Sequence, residues 1–240
     1  LSIIILPAWW LSWWFKIIII FFIVGVGILI YQYRVKRLIE IERIRFNISN
    51  DLHDEIGSNL SSISVDSQTL MQSKTLTKME RELTSDISKT SKETVEAMRD
   101  IIWFINPKND VGEDIIFKMK ETAAKLLIGI QWSYNVASDV RFDLFDLEVR
   151  RNIFLIYKES LTNVLKHSKS KNCNIDITKK KNNIIVQIKD DGIGFDLKNV
   201  KKNNGLLNLR HRANKIGAEI DIKSKENKGT IVELTVPLKN

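Results

Sequence analysis

The sequence has a single cysteine, Cys173, so it can form neither an internal disulfide nor a multi-cysteine zinc or iron–sulfur site, and a lone thiol fits a reducing compartment. Three histidines, His53, His167 and His211, leave too little material for a histidine-rich metal centre. No Gly-Lys pair occurs anywhere, which excludes a phosphate-binding loop of the Walker type. Charge is missing between Ile17 and Tyr31, and glycine and proline are missing from Ile28 to Ile56. The first gap marks a segment unlike the rest of the chain. The second lets one helix run unbroken through it.

What remains is 240 residues, 44% hydrophobic and 28% charged, too apolar for a disordered chain and long enough for one or two compact domains plus something extended. Lys and Arg number 37 against 29 Asp and Glu, a net charge of +8. That balance suggests an anionic partner, with nucleic acid the first thought. The basic residues, however, are scattered or sit in turns such as Lys179–Lys181, with no aromatic interleaving and no zinc pattern, so no direct nucleic-acid contact is expected.

Four of the six tryptophans fall in the first fourteen residues: Trp9, Trp10, Trp13 and Trp14. The uncharged run alone is short for a membrane span, but its flanks extend it. Trp13 and Trp14 on one side and Tyr31 and Tyr33 on the other suit the two headgroup layers, and Lys16 can snorkel outward. Trp13 to Tyr33 as helix measures roughly 30 Å, about one hydrocarbon thickness. A signal peptide would carry its basic cluster before the apolar run, whereas Arg34, Lys36 and Arg37 follow it. The positive-inside rule then places everything C-terminal in the cytoplasm, the topology of a single-pass membrane protein. Residues 1–12 are expected to be the tail of an extracytoplasmic domain, and 13–33 the transmembrane helix.

Beyond the span, Leu38, Ile41, Ile48, Leu52, Ile56, Leu60 and Ile63 recur at three- and four-residue spacing, a narrow apolar stripe on a helix. A second helical pattern runs roughly from Thr77 to Ile105 and stops at Pro107. The two predict an antiparallel hairpin over 34–106 that hides its stripes by pairing with a second copy, giving a dimeric four-helix bundle. After Pro107 the texture is mixed. Glu113 to Ile128, Leu147 to His167 and Gly205 to Ile216 read as helices. Asn174–Lys180 with Ile184–Asp190, and Ala218–Ser224 with Thr230–Val236, read as hairpins. The fold class expected is therefore α+β: one transmembrane helix, a helical hairpin, and a C-terminal α/β sandwich over 107–240 built from helices and antiparallel strands.

Four clusters could carry chemistry. In Asn50–Gly57, His53 lies one step round the helix from buried-stripe Leu52, beside Asp54. An imidazole oriented by a carboxylate is a plausible nucleophile, though an ordinary solvated histidine would look the same. On the helix after Leu147, Glu159, Asn163 and His167 follow at four-residue steps with Lys166 alongside, an arrangement that suits magnesium with its phosphates or else a solvated face. In Asp190–Phe195, parity with Ile184, Val186 and Ile188 turns Asp190 inward, where a buried carboxylate needs a donor such as the adenine amine. Gly192 and Gly194 allow close backbone approach. Last, a loop with Lys198, Lys201 and Lys202 leads to Asn203, Asn204, Gly205 and Leu206 at a helix start, whose N–H groups suit phosphate, and Gly229-Thr230 could bring a hydroxyl to the same place.

In this order the clusters resemble a sensor histidine kinase of a two-component system. Leu52–Gly57 is similar to the phosphoacceptor box of the subgroup with a His-Asp pair, and Glu159–His167 to the N box. Asp190–Phe195 and Asn204–Leu206 are similar to the two glycine boxes of the gyrase, chaperone and histidine kinase ATPases. The resemblance covers about residues 34–240. Met98–Asp110, with Trp103 and Asn106-Pro107-Lys108, resembles kinases joined to large propeller-type sensors, as does the Trp-rich start. The resemblance implies an ATP-dependent protein-histidine kinase that autophosphorylates His53, with Asp54 assisting. The phosphoryl group would then pass to an aspartate of a response regulator receiver domain. It also implies ATP and Mg2+ as cofactors, with Asn163 on the metal. Glu159, Lys166, His167, Asp190, Gly192, Gly194, Gly205, Leu206 and Thr230 would line the nucleotide site. The segment from Phe195 to Asn204 would form a short lid. Ser58 stands where members that also dephosphorylate the regulator often carry glutamine, which argues against phosphatase activity. The alternative is a membrane-anchored ATP-binding scaffold without phosphotransfer.

Overall fold

The computed structural model describes residues 13–73, 76–106, 112–196 and 204–238, apart from the side chains of His53, residues 112–114 and Asn204. The chain divides into two compact units, Leu1–Pro107 and Lys108–Asn240.

The first unit is helical. Helix α1, Trp13–Asp51, passes through a five-residue π segment, Leu52–Ile56, into α2, Gly57–Met71. The whole run of 59 residues includes a stretch long and apolar enough to cross a membrane by length and composition, and none of that stretch is buried. Helix α3, Lys78–Ile105, returns antiparallel along α2, meeting the end of α1 as well. Its start is fixed by a capping box: the Glu80 backbone N–H donates to Thr77 Oγ1 at 3.3 Å, and the Thr77 N–H donates to Glu80 Oε2 at 2.8 Å. Arg81 donates to the Met71 and Ser73 carbonyls at 2.9 and 3.1 Å, satisfying acceptors the end of α2 would otherwise leave open.

The seam between α2 and α3 is small and polar at one end, with Ser64, Ser67, Ser88 and Ser91 buried, and apolar at the other, with Val95 and Met98, while Phe104 is buried further along α3. Meanwhile Ile63, Val65 and Leu70 of α2, and Met79, Leu83 and Ile87 of α3, face outward. A hairpin with this distribution has apolar surface left to cover.

The second unit is a five-stranded sheet with helices on one face. In chain order it holds α4 (Gly112–Leu126), β1 (Gln131–Val136), α5 (Leu147–Asn163) with a π extension (Val164–Ser168), β2 (Asn172–Lys180), β3 (Asn183–Asp190), α6 (Asn204–Lys215), β4 (Glu219–Ser224) and β5 (Thr230–Pro237). The strand order is β1-β2-β3-β5-β4. Alternation decides the buried face: Cys173, Ile175 and Ile177 of β2, Ile184, Val186 and Ile188 of β3, and Leu234 and Val236 of β5 all point into the core. They meet Ile153, Phe154, Ile156, Tyr157 and Leu161 of α5, and Ile115, Met119, Ala123 and Leu127 of α4. Asp146 caps α5 by accepting the Val149 N–H at 2.8 Å.

One expectation needs correcting. The sheet is mixed, because β1 pairs parallel with β2, Gln131 opposite Asn172 through Val136 opposite Ile177. The sequence reading assigns no strand there. Trp132, Tyr134 and Val136 do alternate with polar residues, but the partner strand lies about forty residues on, beyond α5, so no turn marks the pairing.

Two tyrosines tie α4 to this core: Tyr134 Oη donates to the Ile116 carbonyl and Tyr157 Oη to the Met119 carbonyl, both at 2.9 Å. Burial pushes both phenols above their ordinary pKa, so they stay donors across the physiological range. Tyr157→Phe should cost this unit about 1 kcal/mol. The loss should appear as faster amide exchange in α4 and α5, and unchanged exchange there would count against the tie.

Candidate functional site

A cavity of about 310 Å³ opens between α5, the end of β3, the start of α6 and the β4–β5 hairpin. Its floor is the apolar sheet face, Ile188, Ile222 and Val232. Asp190 closes the inner end, 5% exposed and on the same side of β3 as Ile188. Burial holds its carboxyl above the ordinary aspartate pKa, and the Gly192 and Thr230 backbone N–H groups partly offset that cost. The Gly192 bond is 2.9 Å long. Thr230, opposite Asp190 in the ladder, also lines the cavity.

The loop after Asp190 is held to α5 by its backbone. The Ile193 N–H donates to the Ser168 carbonyl at 2.7 Å, and the Asn227 N–H to the Ile193 carbonyl at 2.6 Å. A Cβ on Gly192 would fall 2.2 Å from the Ser168 carbonyl oxygen. Gly194 has φ +56°, and its Cβ would fall 2.1 Å from the Lys225 carbonyl oxygen. Both positions therefore need glycine, Gly192 for space and Gly194 for space and backbone conformation.

Opposite, α5 presents Asn163 and His167 to the cavity, the second from the π extension. Glu159 is half-buried beside the start of α6, with Oε1 3.3 Å from where a Gly205 Cβ would sit, and Asn163 Oδ1 lies 4.0 Å from the same point. The α6 start, through Gly205 and Leu206, forms the remaining wall. A cavity with an apolar floor, one buried acceptor and a helix start suits a flat heteroaromatic ligand with an anionic tail.

In the helical unit, the π segment Leu52–Ile56 carries His53 and Asp54, and the Gly57 N–H reaches back five residues to the Leu52 carbonyl. Beside it a cavity of about 300 Å³ is lined by Asp54, Gly57, Ser58, Ser61, Val95, Met98 and Arg99. Gly57 leaves room for α3: a Cβ there would meet Met98 Cε at 3.2 Å.

Residues 42–110 match the family described as "Histidine kinase", and residues 148–240 match the "Histidine kinase-, DNA gyrase B-, and HSP90-like ATPase" family. Between them the two matches cover well over half of the chain. The chain belongs to the histidine kinases. It is 27% identical over 210 residues to Sensor protein VraS of Staphylococcus haemolyticus, covering 85% of this chain and 58% of that protein. It is also 27% identical over 214 residues to Sensor histidine kinase LiaS of Bacillus subtilis, covering 85% and 56%. The chain thus spans less than three fifths of the length of these curated relatives. Among solved structures, Acinetobacter baumannii histidine kinase AdeS aligns with a TM-score of 0.49 at 14% identity, covering 75% of this chain and 96% of that one.

Of the residues the kinase resemblance singles out, Asn163, His167, Asp190, Gly194, Gly205, Leu206 and Thr230 line the ATPase-unit cavity. Glu159 stands next to its wall and Gly192 just behind it, while Lys166 is exposed and outside the lining. Lys198, Lys201, Lys202 and Asn203 lie outside the described residues, as do the side chains of His53 and Asn204. Sequence reasoning missed Ser168 in the lining and the π form of both histidine-bearing segments. A π turn inserts one residue without changing hydropathy, so no periodicity signals it, though such turns are frequent at functional sites.

Gly192→Ala should weaken binding of a fluorescent ATP analogue at least tenfold, because the obstacle is backbone, while the helical signal of the hairpin persists. Gly205→Ala meets only the end of the flexible Glu159 side chain and should cost less. Equal effects of the two would contradict the close approach at Ser168.

Proposed function

We propose that this chain is the membrane-tethered catalytic part of a sensor kinase that phosphorylates its own His53 from Mg-ATP and passes the phosphoryl group to an aspartate of a response regulator. The observation that carries the reading is the cavity around Asp190: a buried acceptor for the adenine amine over an apolar floor, with Asn163 and a helix start where the phosphates would lie. Asp190 selects the base, and Thr230 adds a hydroxyl. Gly192 and Gly194 hold the loop beneath the base, Gly205 and Leu206 place backbone N–H groups, and Glu159, Lys166 and His167 surround the phosphate end.

Among the described residues no group of three or more His, Cys, Asp or Glu could hold a metal alone. The amide oxygen of Asn163 fits one position of an oxygen-liganded ion whose other ligands are phosphates and water. Magnesium would there neutralise phosphate charge. The remaining work is positioning. A nitrogen of His53 attacks the γ-phosphorus, the bond to the ADP oxygen breaks, and Asp54 takes up the imidazole proton. The aspartate carboxylate of the regulator then takes the phosphoryl group from His53.

The boundaries that follow are 1–12 for a sensor tail, 13–33 for the span, 34–106 for the dimerisation and phosphotransfer hairpin, and 107–240 for the ATP-binding domain. The uncovered apolar residues of α2 and α3 support a homodimer, two hairpins closing one four-helix bundle. The exposed apolar run of α1, followed by Arg34, Lys36 and Arg37, supports a single pass through the bacterial inner membrane with the kinase in the cytoplasm.

Incubation with labelled ATP and magnesium tests the reading: acid-labile, base-stable phosphate should accumulate on the wild type and vanish in His53→Gln, with ATP binding intact. Label on the variant would remove His53 from its role. The Asp190 carboxyl supplies a pH test. Its ionised form accepts from the adenine amine more strongly than its protonated form, and its pKa in the free protein is raised. ATP affinity should therefore be full above that raised value and fall as pH drops through it, beginning above the ordinary aspartate range near 4. Asp190→Asn should flatten this limb and bind ATP roughly tenfold or more weakly. A wild-type profile flat to pH 4 would place the base elsewhere.

A further inference from the structure

Ser224 does not line the cavity, yet it joins three of its walls. Half-buried at the end of β4 and opposite Thr230 in the ladder, its Oγ accepts the Phe195 backbone N–H at 2.9 Å. The same oxygen lies 3.0 Å from Thr230 Oγ1 and 3.2 Å from the Gly229 carbonyl oxygen. A hydroxyl has one hydrogen to give and two lone pairs to offer. The Phe195 N–H takes one lone pair, so two arrangements remain. If Ser224 donates to the Gly229 carbonyl, Thr230 can give its hydrogen to Ser224 and turn only lone pairs to the cavity. If Ser224 donates to Thr230 Oγ1, the Thr230 hydrogen is released to point at a ligand.

Thr230 thus becomes acceptor or donor according to Ser224. Beside it stands Asp190, an acceptor that strengthens on ionisation. The polar edge of adenine gives hydrogens from its amine and accepts at the neighbouring ring nitrogen, whereas guanine carries a carbonyl oxygen and a ring N–H in those places. Acceptor Asp190 beside donor Thr230 therefore complements adenine.

We propose that Ser224 is a positioning residue for base selection: donating to Thr230 Oγ1, it frees the Thr230 hydrogen for the adenine ring nitrogen, while its lone pair fixes Phe195 against the base. This rests on the nucleotide reading of the cavity. Gly229 allows the geometry, because its φ of +76° turns the hairpin and a Cβ there would fall 2.0 Å from the Asp190 carbonyl oxygen.

The test is equilibrium binding of ATP and of GTP, each with magnesium, to the full chain in detergent micelles, with amide exchange at Phe195 measured alongside. The wild type should prefer ATP. Ser224→Ala should bind ATP three- to tenfold more weakly, about what one lost hydrogen bond is worth, leave GTP within twofold, and speed Phe195 exchange. Ser224→Thr, which keeps the hydroxyl, should restore both preference and exchange. Ser224→Cys keeps the volume without a strong donor and serves as the probe if alanine prevents folding. Equal losses for ATP and GTP, or an unchanged ratio with ATP still bound, would make Ser224 a structural tie and overturn this inference alone. A wild type that binds neither nucleotide would overturn the cavity's nucleotide reading together with it.

Discussion

The cavity exists because one loop is held against one helix end. Gly192 passes so close to the Ser168 carbonyl that no side chain fits, and the Ile193 N–H closes the contact with a 2.7 Å bond to that same carbonyl. Ser168 is itself fixed: its hydroxyl donates back to the Val164 carbonyl at 2.7 Å and accepts the Ser170 N–H at 3.0 Å, where Lys169 takes a left-handed turn with φ 52°. With the two ends locked, Asn163 and His167 on α5 and Asp190 on β3 line one cavity from two elements. Neither element alone makes a site; the contact between them does.

The two units solve opposite packing problems. The C-terminal unit buries large side chains such as Tyr157, Phe154 and Phe142 in a core beneath its cavity. The hairpin places serines in the seam between its own helices and keeps many of its larger aliphatic residues outside. A seam of small residues lets α2 and α3 approach closely but contributes little apolar burial, so the stability of this unit depends on what covers its outer faces. The π segment at Leu52–Ile56 interrupts the helical register where the chain passes from the apolar α1 to that hairpin. It sets the phase between the stripe upstream and the seam downstream.

Much of this was legible in the sequence, and the rest failed for identifiable reasons. Strand parity put Asp190 inward because β3 is regular to its last residue and a two-residue period needs no further information. The two hairpins were legible because their partners are neighbours in sequence. The strand β1 was not, since its partner lies beyond a whole helix, and neither were the two π segments, which leave composition untouched. The capping box at Thr77 and Glu80 carries a readable signal, a threonine followed three residues later by glutamate ahead of a periodic run. In the site, the glycines could be recognised as permissive, but which of them was sterically required depended on Ser168 and Lys225, whose carbonyls no pattern places.

The adjacent carboxylates at the end of β3 show how a strand divides labour between its faces. Asp191 is exposed and accepts from the Asn172 side-chain amide at 2.7 Å and from the Lys171 and Asn172 N–H groups at 2.9 Å each. Those bonds, led by the Asn172 side chain, hold its carboxyl below the ordinary value, so it stays charged and fastens the start of β2 to the end of β3. Asp190, one residue earlier, faces the core and has its pKa raised by burial. Opposite it in the ladder, burial followed by the two neighbouring carboxylates pushes the Cys173 thiol up to about 12, so the only cysteine remains a neutral packing group. A carboxylate has about four acceptor positions, and the Gly192 and Thr230 N–H groups take only two of those on Asp190. The unused capacity faces the cavity. A ligand that donates there recovers part of the desolvation cost already incurred on folding, so the same burial that strains the empty site favours the occupied one.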